Sequence, residues 1–172
     1  MTRQEITQFY QEHHGRLYNI AWRILRDSDE AEEAMQDTIL KYVSGERKFD
    51  SREQVSAWLA RTCIHDAIDR LRKRQRRDDF LKDYAIAEGD SPVEPANDGM
   101  TEPTDGERPS IDRIRTAMDA LPEPYRLILN LVLIEGLDYE EIAGLTDKKE
   151  PTLRSLYSRG RSKLIKLLNE KI

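Results

Sequence analysis

The chain carries, at Asp138–Leu168, the sequence DYEEIAGLTDKKEPTLRSLYSRGRSKLIKLL. Its hydrophobic spacing predicts a short helix, a tight turn at residues 146–149 and a longer basic helix, which together form a helix-turn-helix. Asp138 is placed to cap the first helix with Glu141 at the capping-box position, and Pro151 suits the first turn of the second. The residues expected on the buried side of the second helix are Leu153, Leu156, Tyr157, Leu164 and Leu168.

The other side of the longer helix is polar and strongly basic. Guanidinium and ammonium groups bind phosphates or guanine edges, and hydroxyl groups bond either phosphates or bases. This face therefore fits the major groove of DNA, although an amphipathic hairpin with a solvated basic face has the same pattern. The pattern alone leaves both interpretations open. The residues of this face are Thr152, Arg154, Ser155, Ser158, Arg159, Arg161, Lys163 and Lys166.

The charge of the chain is unevenly distributed. Its 172 residues include 28 Lys or Arg and 33 Asp or Glu, and the net charge of −5 by itself argues against a nucleic-acid-binding protein. Residues 57–77 nevertheless hold seven basic and two acidic side chains, and residues 147–172 hold eight and three. Between them, residues 78–112 hold eleven acidic and two basic side chains. The two basic patches provide local sites for phosphate in spite of the net charge.

The composition also limits the cofactor chemistry and the location. Cys63 is the only cysteine, so no disulfide forms within the chain, and too few ligand residues cluster for a zinc site. No Ser/His/Asp set, metal-ligand cluster or glycine-rich phosphate loop indicates an enzyme. The N-terminus lacks an apolar signal core, and no stretch reaches the ~18 apolar residues of a membrane span. We therefore expect a cytoplasmic protein that is not an enzyme, uses no cofactor or metal and does not insert into a membrane.

The first part of the chain predicts helices packed around one small core. The first spans residues 4–25, and the second begins at a cap, Asp27 or Asp29, and ends near Val43. The second helix carries an acidic strip on its outer side, which fits either a solvated face or a docking surface for a basic partner. The strip consists of Glu30, Glu33, Gln36 and Asp37.

A loop after Gly45 leads to a third helix that becomes strongly basic. Ser51 and Gln54 form a capping box at its start, and its last residues, 70–77, read RLRKRQRR. Phe49 has no place in the helical periodicity, so we expect it to be exposed beside the basic helix. An exposed aromatic ring there can stack on an unstacked base, because every base has a π-face.

Residues 78–110 separate two domains. They contain four of the seven prolines and three of the eight glycines, with few large apolar residues, which predicts a flexible acidic linker. A loop of this length inside one compact domain is unusual. After the linker, two helices joined at residues 122–124 brace the helix-turn-helix. The predicted fold is all-α, with small helical domains at residues 1–77 and 111–172, the second a four-helix unit.

Four segments together resemble bacterial RNA polymerase sigma factors of the extracytoplasmic-function group. EAEEAMQDTIL at residues 30–40 resembles the family's acidic clamp-binding helix. VSAWLARTCIHDAIDRLRKRQRR at residues 55–77 resembles its AWL triplet followed by an aspartate and a basic tail. LPEPYRLILNLVLIEGLDYEEIAGL at residues 121–145 and PTLRSLYSRGRSKL at residues 151–164 resemble its promoter-binding helix-turn-helix.

The resemblance implies a transcription initiation factor that directs core RNA polymerase to specific promoters. The acidic helix would dock on the β′ clamp helices of the polymerase, with Glu33, Gln36 and Asp37 at the contact positions. The first domain would recognise and melt the minus-ten promoter element, and the second would read the minus-thirty-five element. The implied minus-ten residues are Lys48, Phe49, Arg61, His65, Arg72, Lys73 and Arg76. The implied minus-thirty-five residues are Thr152, Arg154, Ser155, Ser158, Arg159 and Lys163.

The implied partners are core RNA polymerase, through its β′ clamp helices and β flap, and promoter DNA, with an anti-sigma factor as an optional inhibitor. The linker would run through the polymerase toward the RNA exit path, where acidic residues can mimic nucleic acid. A stand-alone helix-turn-helix regulator is the alternative. Such a regulator binds its operator unaided, whereas a sigma factor binds DNA weakly until the polymerase holds both domains at promoter spacing.

The chain departs from the family pattern at several positions. His65 stands where asparagine is usual near the melted strand, and Val132 where many members carry an arginine that contacts DNA. Leu156 stands where a basic residue is common in the recognition helix. These departures predict an individual promoter preference. Lys148 replaces an apolar turn residue, which predicts a looser or more exposed turn.

Overall fold

The computed structural model describes residues 1–77 and 108–170, and within these ranges every regular element is helical. The predicted all-α class is therefore confirmed. The described residues fall into two compact units, one before and one after residues 78–107. The predicted acidic linker lies outside the described residues, apart from Arg108, Pro109 and Ser110, which are exposed and have no regular structure.

The first unit consists of α1 (Arg3–Leu25), α2 (Ser28–Ser44) and α3 (Arg52–Arg77). A side-chain oxygen caps the start of each helix, because the first backbone N–H groups have no partner inside the helix. The capping residues are Thr2, Asp27 and Ser51, which accept from the N–H groups of Glu5, Glu30 and Gln54 at 3.2, 2.9 and 3.2 Å.

The core of the first unit forms where the apolar stripes of the three helices meet. Ala31 and Ala34 of α2 are fully buried, and their small side chains let the neighbouring helices approach closely. Thr38 is also fully buried, and its hydroxyl donates to the carbonyl of Ala34 at 2.8 Å, so the polar group is satisfied. The large buried side chains include Leu17, Ile20, Ile24, Leu25, Leu59, Ile64, Ile68 and Leu71.

An aromatic cluster joins the three helices to the loop between α2 and α3. The rings of Phe9 and Tyr42 stack with their centroids 4.4 Å apart, and the Phe49 centroid lies 5.8 Å from that of Tyr42 and 5.9 Å from that of Trp58. Phe49 is therefore half-buried, and the expectation of an exposed ring was wrong. Helical periodicity could not reveal this, since the partners of this loop residue lie on two different helices.

The second unit contains the four predicted helices. They are α4 (Ile111–Asp119), α5 (Glu123–Leu129), α6 (Tyr139–Thr146) and α7 (Glu150–Asn169), and α5 continues into a π-helical segment, Asn130–Ile134. The short connection between α6 and α7 is the turn of the helix-turn-helix, as the sequence predicted.

Local sequence accounts for the helix boundaries in this unit. Ser110 and Asp138 cap α4 and α6, and the Asp138 carboxylate accepts from the Glu141 N–H at 2.8 Å, as predicted. Pro151 occupies the first turn of α7, where its missing N–H has no cost. Asp147 ends α6 in the left-handed conformation, with φ at 55°, a geometry that aspartate tolerates better than most residues.

The π-helical segment turns two apolar side chains outward. Because each π turn holds more residues than an α turn, the segment shifts the faces on which the following side chains lie. Leu131 remains buried, but Leu133 and Ile134 are exposed. Both side chains therefore lie outside the core, although they are apolar. Gly136 then reverses the chain at a φ of 69°, which glycine adopts without strain.

Helix α7 packs closely on α5 at a glycine. A Cβ atom on Gly160 would lie 3.1 Å from the Cβ of Tyr125, which is closer than such atoms normally approach. The buried position of Gly160 therefore brings the two helices together. The surrounding core includes Met118, Leu121, Ile128, Leu129, Leu131, Ile142, Leu153, Leu156 and Leu164.

Candidate nucleic-acid interface and acidic docking surface

Helix α7 separates an apolar side from a basic side as the sequence predicted. Leu153, Leu156 and Leu164 are buried, and Tyr157 and Leu168 are half-buried. Leu156 stands where the family often has a basic residue, and because it is buried it contributes no side chain to the outer face. On that face Thr152 and Arg159 are half-buried, and the remaining predicted residues are exposed, namely Arg154, Ser155, Ser158, Arg161, Lys163 and Lys166.

Arg154 is held in place near the N-terminal end of α7. Its guanidinium donates to the carboxylate of Glu150 at 3.2 Å and lies 5.5 Å from the centre of the Tyr139 ring. Burial, reinforced by nearby Tyr157, raises the pKa of the Tyr139 phenol, so the ring stays neutral. The Arg154 side chain is still 61% exposed. It can therefore leave these two partners for a base or a phosphate without disturbing the core.

The turn before α7 is closed by a lysine instead of an apolar residue. Lys148 is half-buried and lines a small apolar cavity, whereas its neighbours in the turn, Asp147 and Lys149, are exposed. The aliphatic part of a lysine side chain can cover apolar surface while its ammonium group reaches water. The other residues lining this cavity include Ile128, Leu131, Ile142, Leu153 and Leu156.

Helix α3 presents a basic stripe to solvent. Arg61, His65, Arg72 and Arg76 follow one another at spacings of four, seven and four residues, which places them along one side of the helix. Asp69 lies within the stripe, 3.7 Å from His65 and 3.8 Å from Arg72. Arg72 is half-buried and the other three are exposed. The stripe can attract a DNA backbone along the length of the helix.

Two further minus-ten candidates lie beside that stripe or in the preceding loop. Lys73 is exposed on α3, and Lys48 is exposed in the loop before it. Phe49, next to Lys48, contributes its ring to the aromatic cluster. A base could stack there only on the part of the ring that the cluster leaves uncovered.

The acidic strip of α2 is paired with α3. Arg70 donates to Glu33 at 2.8 Å and to Asp37 at 2.6 Å, and Arg74 donates to Glu30 at 3.0 Å. The sequence predicted an exposed strip, and this is correct for Glu33 and Gln36, whereas Glu30 and Asp37 are half-buried. Glu30 and Asp37 are less exposed than predicted because they pair with Arg74 and Arg70, which lie 44 and 33 positions later in the chain.

Two features of this surface were not identified from the sequence. Leu40 follows Gln36 and Asp37 on the same side of α2 and is 62% exposed, which places an apolar side chain beside the carboxylates. The sequence could have indicated this exposure, because Leu40 lies outside the buried stripe of α2. Arg70 belongs to the basic tail of α3, but nothing in the sequence indicated that it contacts α2.

Within the described ranges, no group of three or more His, Cys, Asp or Glu side chains is arranged to hold a metal ion. The same residues include no helix long and apolar enough to cross a membrane.

Comparison with known proteins identifies both units. The family model Sigma-70 region 2 matches residues 9–77, and the model Sigma-70, region 4 matches residues 111–164. The two matches correspond to the two compact units and together span most of the chain.

Similar proteins support the same assignment over nearly the full length. The extracytoplasmic-function sigma factor SigM of Mycobacterium tuberculosis is 27% identical over 168 residues, covering 96% of this chain and 78% of SigM. SigW of Bacillus subtilis is 26% identical over 167 residues, covering 90% of this chain and 84% of SigW.

A solved structure shares the fold. The sigma factor RpoE of Bartonella quintana, in complex with the anti-sigma factor NepR, matches with a TM-score of 0.54 at 21% identity, covering 98% of this chain and 99% of RpoE. The two family matches, together with the alignments to SigM and SigW, show that the chain belongs to the sigma-70 family of RNA polymerase sigma factors, in its extracytoplasmic-function group.

Proposed function

We propose that α2 docks this sigma factor on the β′ clamp helices of core RNA polymerase through Glu33, Gln36 and Asp37. The observation that carries this proposal is the outward position of these residues on one side of α2, with exposed Leu40 beside them. Carboxylates attract a basic partner, and a central apolar side chain is typical of an interface where polar residues surround an anchor.

The two basic surfaces have separate roles in this proposal. The first unit, residues 1–77, recognises and melts the minus-ten element through the stripe on α3 together with Lys48 and Phe49. The second unit, residues 111–172, reads the minus-thirty-five element through α7 and contacts the β flap. Residues 78–110 connect the units along the polymerase channel. Each unit binds its own element weakly, so tight promoter binding requires the polymerase to hold both units at promoter spacing.

The remaining parts of the proposal follow from this role. The chain acts without catalysis of its own and without a cofactor, in the cytoplasm where the polymerase is. The RpoE relative is bound by an anti-sigma factor, which supports an inhibitor of that class as a partner here. A stand-alone regulator is disfavoured because a family match to region 2 has no place in a protein that binds DNA without polymerase.

Charge reversal on α2 tests the docking step. We expect Glu33→Lys and Asp37→Lys each to weaken binding to core RNA polymerase, because a lysine meets the basic partner surface with the wrong sign. The measurement is competition against another sigma factor, with circular dichroism to verify the fold. Glu12 is exposed on α1, away from α2, so Glu12→Lys makes the same charge change elsewhere in the unit and serves as the control. Unchanged affinity in both α2 variants would contradict the docking assignment.

A further inference from the structure

Arg70 binds three carboxylates with three different nitrogen atoms. Its Nη1 donates to Oε2 of Glu33 at 2.8 Å, its Nη2 to Oδ2 of Asp37 at 2.6 Å, and its Nε to Oδ2 of Asp66 at 2.8 Å. The guanidinium is a planar fork, so engaging all three nitrogens fixes both its position and its orientation. Glu33 and Asp37 are thereby held by a single rigid group.

The arginine lies beneath the carboxylates that it holds. The Arg70 side chain is 22% exposed, whereas that of Glu33 is 66% exposed and that of Asp37 is 47% exposed. A partner approaching from solvent therefore meets the carboxylates before the guanidinium. Each carboxylate gives one oxygen to Arg70, so Oε1 of Glu33 and Oδ1 of Asp37 are not used by it.

The cluster keeps a negative charge in spite of its arginine. Asp66 anchors the guanidinium on α3, and Lys41 of α2 lies 3.6 Å from the other Asp66 oxygen. Three carboxylates thus face two cations. Burial lowers the pKa of Arg70, but the hydrogen bonds that it donates to Asp66 and Glu33 raise the pKa by more, so the guanidinium is permanently charged.

We propose that Arg70 is a positioning residue of the docking surface, which holds Glu33 and Asp37 side by side for basic side chains of the polymerase. This inference rests on the proposed function. Immobilising a long side chain at an interface costs free energy, and a side chain already ordered in the free protein avoids that cost. Arg70 therefore increases affinity for a basic partner, although its own charge repels that partner.

The chain contains a matched control on the same helix. Arg74 lies one turn after Arg70, and it donates to Glu30 at 3.0 Å and to the carbonyl of Leu25 at 2.8 Å. Like Arg70, it joins α3 to α2, and it also reaches the end of α1, but it makes no hydrogen bond to Glu33 or Asp37. A loss that arises merely from weaker helix packing should appear for both arginines.

The experiment compares Arg70→Lys with Arg74→Lys in the full chain. Lysine keeps the charge but cannot bond three carboxylates in the fixed geometry of a guanidinium. We expect Arg70→Lys to bind purified core RNA polymerase about three- to tenfold more weakly, because the lysine still attracts Glu33 and Asp37 but leaves part of their ordering cost to be met on binding. Arg74→Lys should bind within about twofold of the wild type. A thermal melting curve is measured for each variant. If Arg70→Lys folds poorly, Asp66→Ala replaces it, because alanine removes the acceptor of the Nε hydrogen bond; this variant should weaken binding in the same direction.

A coupling measurement separates positioning from a structural role. In a Glu33→Gln, Asp37→Asn background, Arg70→Lys should cause no further loss of polymerase affinity, because no carboxylates remain to be positioned. An equal loss in both backgrounds would overturn the proposal, as would unchanged or tighter binding by Arg70→Lys alone. If the charge reversals at Glu33 and Asp37 leave affinity unchanged, the docking proposal itself has failed. If they weaken binding and Arg70→Lys does not, only the positioning role is wrong.

Discussion

Replacing Arg154 with alanine tests whether α7 reads bases or only attracts phosphates. Arg154 lies near the N-terminal end of α7, the part of a recognition helix that contacts base edges in a helix-turn-helix. Lys166 lies near the other end, is exposed, and serves as the matched cation whose expected contact is a phosphate. We expect the two alanine variants to differ more in their selectivity for the promoter than in their loss of DNA affinity.

The magnitude follows from the interactions that Arg154 gains and gives up. A bidentate contact to guanine contributes about 1–3 kcal/mol of discrimination. To make it, the guanidinium leaves an exposed pair with Glu150, which is worth up to about 0.5 kcal/mol. It also leaves the Tyr139 ring, a contact worth about 0.5–1 kcal/mol at an exposed site. The net loss on Arg154→Ala is about 1 kcal/mol at the preferred promoter with a mid-range gain and about 2 kcal/mol with the largest gain, or roughly five- to thirtyfold in affinity.

The assay measures holoenzyme affinity for a promoter and for the same DNA with a scrambled upstream element, across a series of salt concentrations. Arg154→Ala should lower affinity for the promoter and reduce the difference between the two DNAs. Lys166→Ala should weaken both about equally and reduce the salt dependence by about one counterion. If Arg154→Ala lowers both affinities by one factor, this arginine is a phosphate contact, and Ser155 and Arg159 become the candidates for base reading.

Two further predictions concern stability. Gly144 is an exposed position within α6, so Gly144→Ala should stabilise the chain by about 0.5–1 kcal/mol through its higher helix propensity. Gly160→Ala should destabilise the chain by about 0.5–2 kcal/mol, because the new Cβ lies 3.1 Å from the Cβ of Tyr125. Denaturant unfolding compares them, and equal stabilisation by both would refute the close packing of α7 on α5. The ring centroid of His13 lies 4.5 Å from that of Phe9, and burial lowers the pKa of this histidine. The stabilising contribution of neutral His13 is therefore present above about pH 6.5 and is lost as the pH falls through the folded-state pKa. Between about pH 7.5 and 5.5 the melting temperature should therefore fall more for the wild type than for His13→Gln, and identical falls would argue against a neutral His13 in the folded state.

The helices and their starting points could be predicted from the sequence because their causes are local. Asp27 and Asp138 cap helices through hydrogen bonds to residues three positions later, and such pairs can be recognised in sequence. The apolar stripe of α7 likewise follows from a period of 3.6 residues, with Leu153 and Leu164 buried as expected. The polar face of α7 was predicted by the same reasoning, since it is the side that remains, whereas the candidate residues of α3 came from the family resemblance.

The interactions that were missed depend on which helices meet. Arg70 reaches Glu33 and Asp37 across 37 and 33 residues of chain, and no periodic pattern encodes that pairing. The half-burial of Phe49 has the same origin, because its ring packs between side chains of α2 and α3. The exposure of Leu133 and Ile134 also could not be read from a helical period, because the π-helical segment changes the period within the helix.

In vitro transcription with purified core RNA polymerase on a genomic fragment library tests the central claim most directly. The chain, the core polymerase and the two together are each assayed for transcript start sites and for protection of DNA. We expect defined start sites, with protected minus-ten and minus-thirty-five elements, only when both proteins are present. Protection of a specific site by the chain alone, with no start site that depends on adding the chain to core polymerase, would contradict the account.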